Sequence, residues 1–265
     1  MSPVEVPMKL PLCLPPLLLS LSLAAWAGIP PSSPRVLLYG EQHDQPDQQR
    51  QVAQAVRELA SRQRLAAVVL EMAEQGGSTA RLPGTADEAS VKEALRWSAA
   101  AWPWDTYKDV VMSAVRAEVP VLGGNLPRRD MREAMQNASL DGLLPPAVND
   151  QLRTAIRDGH CGLLPQEHEG GMLRIQLARD QSMARTVVQA LQDAAPGRQV
   201  LLLSGAQHAA RDRGVPLHLQ QLGLKAEELH VTMFGEAPSD VLPSDRTLPA
   251  AFSPGPDPCE QLRKK

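Results

Sequence analysis

Val36-Leu37-Leu38-Tyr39-Gly40-Glu41-Gln42-His43 is an apolar run that stops at a glycine and then presents Glu, Gln and His in succession. The same grammar returns in Val200-Leu201-Leu202-Leu203-Ser204-Gly205-Ala206-Gln207-His208. Runs this short and this apolar, bounded by turn signals, read as strands covered on both faces, which is the situation of strands in a parallel sheet. Each histidine then stands just beyond a strand's carboxyl end, the edge at which open α/β sheets place their ligands.

The intervening chain supplies the helices that a parallel sheet needs. Asp44 is expected to cap a helix with Pro46 in its first turn and Val52, Val56, Leu59 and Ala60 on one face. Leu65–Leu70 reads as a second strand that ends in Glu71-Met72. Thr85-x-x-Glu88 reads as a capping box for a helix through Val91 and Leu95. Trp102-Pro103-Trp104 breaks that helix, Tyr107 to Val115 forms another, and Val119–Leu122 is a third strand closed by Gly123-Gly124-Asn125. From Pro127 to Ala195 the pattern is helical, and its last helix is expected from Gly171, with Met172, Ile175, Ala178, Met183 and Val187 near one face and Asp180 among the rest. A short helix at 216–222 and an edge strand at 229–234 follow the fourth strand. The expected fold is therefore α/β, a mostly parallel central sheet flanked by helices, with a helical insertion between the third and fourth strands.

The two ends of the chain read differently from its middle. Residues 1–27 have the form of a secretory signal peptide, with Lys9, a Leu-rich stretch to Leu23 and the small-x-small site Ala25-Trp26-Ala27. The mature protein is then expected to be exported to the periplasm or cell envelope, with one domain over 28–235. Residues 236–265 hold six prolines and end in Arg-Lys-Lys, the composition of a disordered tail. Outside the leader, Cys161 and Cys259 remain; their spacing does not decide whether they pair, and the simpler reading is a half-buried Cys161 and a tail Cys259. The net charge is −3, without a basic stripe, so nucleic acid is excluded as a partner.

Glu41 with His43, Glu71, Asn125 and His208 all fall at strand ends on one predicted edge. Two imidazoles with one or two carboxylates suit a borderline divalent metal ion, with His43, Glu71 and His208 as ligands. A metal-dependent hydrolase would use Glu41 or Glu71 as general base beside His43 and His208.

Several ordered motifs carry a resemblance. Gly40-Glu41-Gln42-His43-Asp44, Val69-Leu70-Glu71-Met72, Asn125-Leu126-Pro127-Arg128, Asp158-Gly159-His160-Cys161-Gly162, Met172-x-x-x-Gln176-x-x-x-Asp180 and Gly205-Ala206-Gln207-His208 followed by Asp212-Arg213-Gly214-Val215-Pro216 together resemble the ChaN-like family of bacterial haem-binding uptake proteins, within the Tiki/TraB/erythromycin-esterase-like superfamily. The resemblance covers about residues 34–234 and implies an α/β fold, an envelope location, and haem held in a dimer through a tyrosine. A homodimer and an envelope transporter or receptor are its implied partners. Of the two tyrosines outside the leader, Tyr39 lies inside an apolar strand, while Tyr107 opens a helix beside Lys108 and is the better axial-ligand candidate. Lys108 and Arg128 could meet haem propionates, His160 could be a ligand, and Met172 could pack on the porphyrin.

Overall fold

Residues 34–235, 241–252 and 258–263 are described in a computed structural model of the chain. The stretch expected to be a signal peptide, residues 1–27, lies outside them. Among the described residues, β1 (Val36–Glu41), β2 (Leu65–Glu74), β3 (Val121–Asn125), β4 (Gln199–Gly205), β5 (Leu229–Phe234) and β6 (Arg246–Leu248) form one six-stranded sheet in the order β3-β2-β4-β1-β5-β6. Every neighbouring pair is parallel. The two apolar runs that end in Gly-x-x-His are adjacent and in register, Tyr39 opposite Leu203 and Gly40 opposite Ser204. That register sets their polar ends side by side.

Alternation along the strands divides the core into two layers. Leu201 and Leu203 face α1 (Pro46–Ser61) and, with Leu70, α3 (Trp104–Arg116). Val200 and Leu202 face α6 (Gln166–Gln192) and α8 (Val215–Gln221). Both layers are needed because β4 is buried along its whole length. Each such fully buried leucine contributes about 1.5–3 kcal/mol by leaving water. The connecting helices α2 (Glu88–Ala94), α4 (Met131–Gln136) and α5 (Pro146–Gly159) complete the crossovers, and α7 (Ala206–Ala209) is a single turn directly after β4.

The sheet, its direction and the helical insertion match the sequence expectation; several local details differ. Gln45, not Asp44, precedes α1. Asp87, not Thr85, caps α2, its carboxylate accepting from the Ser90 amide at 2.8 Å. β3 continues through Gly123-Gly124-Asn125, because bare backbone is what fits there: a Cβ on Gly123 would lie 2.0 Å from the Glu74 carbonyl oxygen. α6 starts at Gln166 and passes through Gly170 and Gly171. Its buried stripe is Leu173, Leu177, Met183, Ala184 and Val187; Met172 and Ile175 are only half-buried, while Asp180 is fully enclosed.

The Pro-rich end also carries more structure than its composition suggests. Arg246–Leu248 pairs with Thr232–Phe234, so β5 is not an edge. Asp245 fixes that addition, accepting from the Val231 amide at 2.8 Å and from the Arg211 guanidinium at 2.6 and 2.9 Å. Polar backbone satisfaction by one buttressed carboxylate outweighs the absence of an apolar pattern. Farther on, α9 (Pro258–Arg263) is tied back by a disulfide between Cys161 and Cys259, which corrects the unpaired reading of these cysteines. The bond closes a separation of 98 residues that no spacing argument could anticipate. Replacing Cys259→Ser is expected to cost no more than the ~2–4 kcal/mol typical of native disulfides. The change should fall on the C-terminal stretch, which limited proteolysis would show as faster loss of residues 246–263 than of the core.

Candidate functional site

The carboxyl ends of β1, β2, β3 and β4 bring Glu41, His43, Glu71, Asn125 and His208 together, as their positions at strand ends predict. Two carboxylate–imidazole pairs face a shared third carboxylate. The Nδ1–H of His43 donates to Glu41 Oε1 at 2.8 Å, and its Nε2 lies 4.0 Å from Glu71 Oε2. The Nδ1–H of His208 donates to Asp180 Oδ1 at 2.5 Å, and its Nε2 lies 3.4 Å from Glu71 Oε1. Gln176 sits 3.0 Å from His208 Nδ1, and Gln49 donates to Glu41 Oε2.

Glu71 is the hub. Arg179 donates to its Oε1 at 2.5 Å and the Gly205 amide to its Oε2 at 2.7 Å. Asn125 sets the arginine, its Oδ1 accepting from Arg179 Nε at 2.9 Å while its Nδ2 donates to the Glu71 carbonyl at 2.9 Å. The glycine of the second Gly-x-x-His motif has a steric reason, since a Cβ on Gly205 would lie 2.9 Å from His43 Nε2. Burial pushes the Glu71 carboxyl up, but His208, Arg179 and His43 outweigh it and hold its pKa at about 2. It is an ionised carboxylate in a buried setting. Glu41 goes the other way, raised by burial that the bonds from His43, Tyr107 and Gln49 only partly offset. The His43 imidazolium is favoured by Glu41 and Glu71 despite burial.

Tyr107 completes the row. Its hydroxyl donates to Glu41 Oε1 at 2.8 Å and stands 3.3 Å from His43 Nδ1, and the residue is 1% exposed. Burial and the adjacent Glu41 push the phenol well above its usual range. Above it lies an aromatic cover. Trp102 meets the Tyr107 ring edge-on at 6.1 Å and the His43 ring at 4.8 Å, while Trp97 packs 6.0 Å from Tyr107 and 5.1 Å from Trp104. Trp97 Nε1 donates to the Trp102 carbonyl at 3.0 Å, which pins the loop carrying that cover.

The other sequence candidates are engaged elsewhere. Lys108 pairs with Asp105 at 2.9 Å in the first turn of its own helix. Arg128 is exposed on the turn after β3, where its amide donates to Glu74 at 3.0 Å. His160 ends α5 with Nδ1 2.7 Å from the Ile156 carbonyl, next to the Cys161 bridge. Met172 lies half-buried on α6, two turns before Arg179 and Asp180. Sequence patterning alone gives no sign of Arg179, Asp180 or Trp102 as site residues; the Met172-x-x-x-Gln176-x-x-x-Asp180 motif of the resemblance is the one signal, and it reaches Asp180 only.

A divalent ion held by His43, Glu71 and His208 finds no support. Among the described residues, no group of three or more His, Cys, Asp or Glu side chains is placed to hold a metal ion. Glu71 already has a cation, the Arg179 guanidinium, and an amide on its two oxygens. What the arrangement can do is hold and pass a proton, between Tyr107, Glu41 and His43 on one side and between Asp180 and His208 on the other.

Behind the site, His218 of α8 is 1% exposed, and burial pushes its imidazole below the ordinary value, with Asp180 and Gln221 opposing and Arg185 reinforcing the shift. A histidine depressed in the fold binds its proton more readily when unfolded, so stability falls as pH drops below about 6.5. His218→Leu is expected to flatten that part of the profile, read as the urea midpoint from pH 7.5 to 5. An unchanged slope would contradict the burial argument.

A family model described as haem-binding uptake, Tiki superfamily, ChaN, matches residues 32–219. A search of functionally curated proteins finds no match. Among solved structures, the one described as cofacial heme binding to ChaN of Campylobacter jejuni superposes with a TM-score of 0.66 at 24% identity, covering 80% of this chain and 86% of that one. That likeness establishes the fold. An erythromycin esterase EreC mutant in its open conformation superposes at 0.45 with 14% identity, over 76% of this chain and 70% of that one. The type III effector HopBA1 reaches 0.42 at 14% identity, over 76% and 77%.

Proposed function

The chain belongs to the haem-binding uptake family of the Tiki superfamily, the ChaN group, and from that membership we propose that it is an exported carrier of ferric haem in iron uptake, with Tyr107 as the axial ligand. The observation that carries the reading is where the scarce aromatics are. The sequence has two tyrosines, two phenylalanines and four tryptophans, and Trp97, Trp102, Trp104 and Tyr107 are gathered over the strand-end cluster. Ring faces and edges of this kind suit a porphyrin plane.

Haem is the cargo, and the chemistry it brings is a ferric centre that prefers an anionic oxygen. Tyr107 supplies that oxygen only by giving up its proton. Glu41 is the acceptor, 2.8 Å away, more basic than an ordinary carboxylate because it is buried, and already linked to His43. Proton transfer to Glu41 also removes the negative charge that opposes phenolate formation. Trp102 packs edge-on against both Tyr107 and His43, so it is the indole expected to respond to loading. A second copy of the chain would complete the apolar enclosure that one monomer with so few aromatics does not. No described helix is long and apolar enough to cross a membrane, and the export reading leans on the leader. Titration of the full chain with ferric haem is expected to give a saturable Soret shift together with quenching of tryptophan fluorescence. A spectrum equal to free haem plus protein would end the proposal.

A hydrolase is the second reading, favoured by one observation: Asp180 backs His208 as Glu41 backs His43, and both imidazoles turn toward Glu71. A panel of ester and peptide substrates, with and without added divalent ions, tests it; turnover lost in His43→Ala and His208→Ala would support it, and no turnover would dismiss it.

A further inference from the structure

A separate cleft opens on the far side of the β1 and β4 ends, between them and the C-terminal stretch. It has a volume of about 400 Å³, within the ~300–1,000 Å³ typical of small-molecule sites. Its walls are Met233 and Phe234 at the end of β5, with Leu242 and Phe252 from the stretch that follows. Its polar groups are three carboxamides, Gln42, Gln48 and Gln207, and no charged side chain lines it among the described residues.

Gln48 is the most informative of these. It is 4% exposed, and its Oε1 accepts from the Gln42 amide at 2.7 Å, which fixes the carboxamide and leaves the Nε2 amide as the group able to donate at the cleft wall. A carboxamide fixed through its oxygen offers its N–H groups to a ligand in a set direction. Phe252 adds a second sign, an aromatic ring 63% exposed at the rim. The outer wall is built and not draped: Asp47 accepts from the Ala251 amide at 3.0 Å, Gln51 donates to the Pro249 carbonyl at 2.9 Å, and Arg211 grips Asp245. A preformed wall spares a ligand the cost of ordering it.

We propose that this cleft is a second binding site, for an uncharged, apolar-bodied molecule that presents a carbonyl or ether oxygen to Gln48 Nε2. Without a cation among the described lining residues, nothing there compensates a carboxylate or a haem propionate. The site is therefore distinct from the Tyr107 side, and its case stands on its own walls whatever becomes of the haem reading.

Nile red, a neutral dye with a carbonyl on an apolar ring system, is a direct probe. Titrating the full chain is expected to give saturable, blue-shifted emission at one dye per chain, with the anionic dye 1-anilinonaphthalene-8-sulfonate at least tenfold weaker. Leu242→Asp and Phe252→Ser are each expected to weaken Nile red at least tenfold, whereas Leu163→Ser, at an exposed leucine elsewhere, leaves it unchanged. Saturating haem should not displace the dye. Non-saturable emission, wild-type affinity in both cleft variants, equal binding of the anionic dye, or stoichiometric displacement by haem would each overturn the proposal.

Discussion

Glu71→Ala is expected to lower the unfolding free energy by about 3–5 kcal/mol, the range for removing one partner of a buried charge pair. The alanine leaves the Arg179 guanidinium, His208 and the Gly205 amide facing a void where the carboxylate was. Arg179 has a second anchor in Asn125 but, among the described residues, no second anionic partner. For a domain of this size the thermal midpoint should drop by roughly 10 °C or more. Glu71→Gln, which keeps the shape and one acceptor, should lose less. Acid makes the same point by a different route. Because the Glu71 pKa is about 2 in the fold against 4.5 ordinarily, its contribution is fully present above the ordinary value and is lost as pH falls through the folded one. The acid limb of the stability profile should therefore be shallower in Glu71→Ala than in the wild type. A loss under ~1 kcal/mol in urea with an unchanged m-value would mean that Glu71 is not the hub described.

Much of this site could be read from the strands. An apolar run that ends in a charged residue carries its own address, because a parallel sheet sends every carboxyl end to the same edge. That is why Glu41, His43, Glu71, Asn125 and His208 meet. Arg179 and Asp180 were hidden because polar residues in the middle of a long helix ordinarily form its solvated face. Here α6 crosses the strand ends, so its buried stripe includes a carboxylate, and only the motif shared with the resembling family pointed to Gln176 and Asp180. β6 escaped notice for another reason: three residues, Arg246-Thr247-Leu248, have no periodicity, and their pairing depends on the distant Arg211–Asp245 clamp. The Cys161–Cys259 bridge likewise depends on where the last helix lies, which no local pattern contains. Nor did the sequence reveal that Trp102 lies over Tyr107, since that contact depends on the path of the loop between α2 and α3.

The second large effect concerns haem. Tyr107→Phe removes the phenolic oxygen and one of the bonds to Glu41, while His43 and Gln49 continue to hold that carboxylate. The fold should lose only about 1 kcal/mol, as for one hydrogen bond. Haem affinity should fall on the order of a hundredfold, about 2.7 kcal/mol, because the remaining aromatic cover offers surface and no anionic ligand. Glu41→Gln should weaken haem less, since it keeps the tyrosine but removes the nearest proton acceptor, and its deficit should shrink as pH rises.

The most direct measurement is a ferric-haem titration of the wild-type chain and Tyr107→Phe side by side, following the Soret band and the charge-transfer region. The wild type is expected to saturate with a tyrosinate-type high-spin spectrum, and the Phe variant to lose that spectrum and bind roughly a hundredfold more weakly. Identical spectra and affinities for the two proteins would contradict ligation by Tyr107.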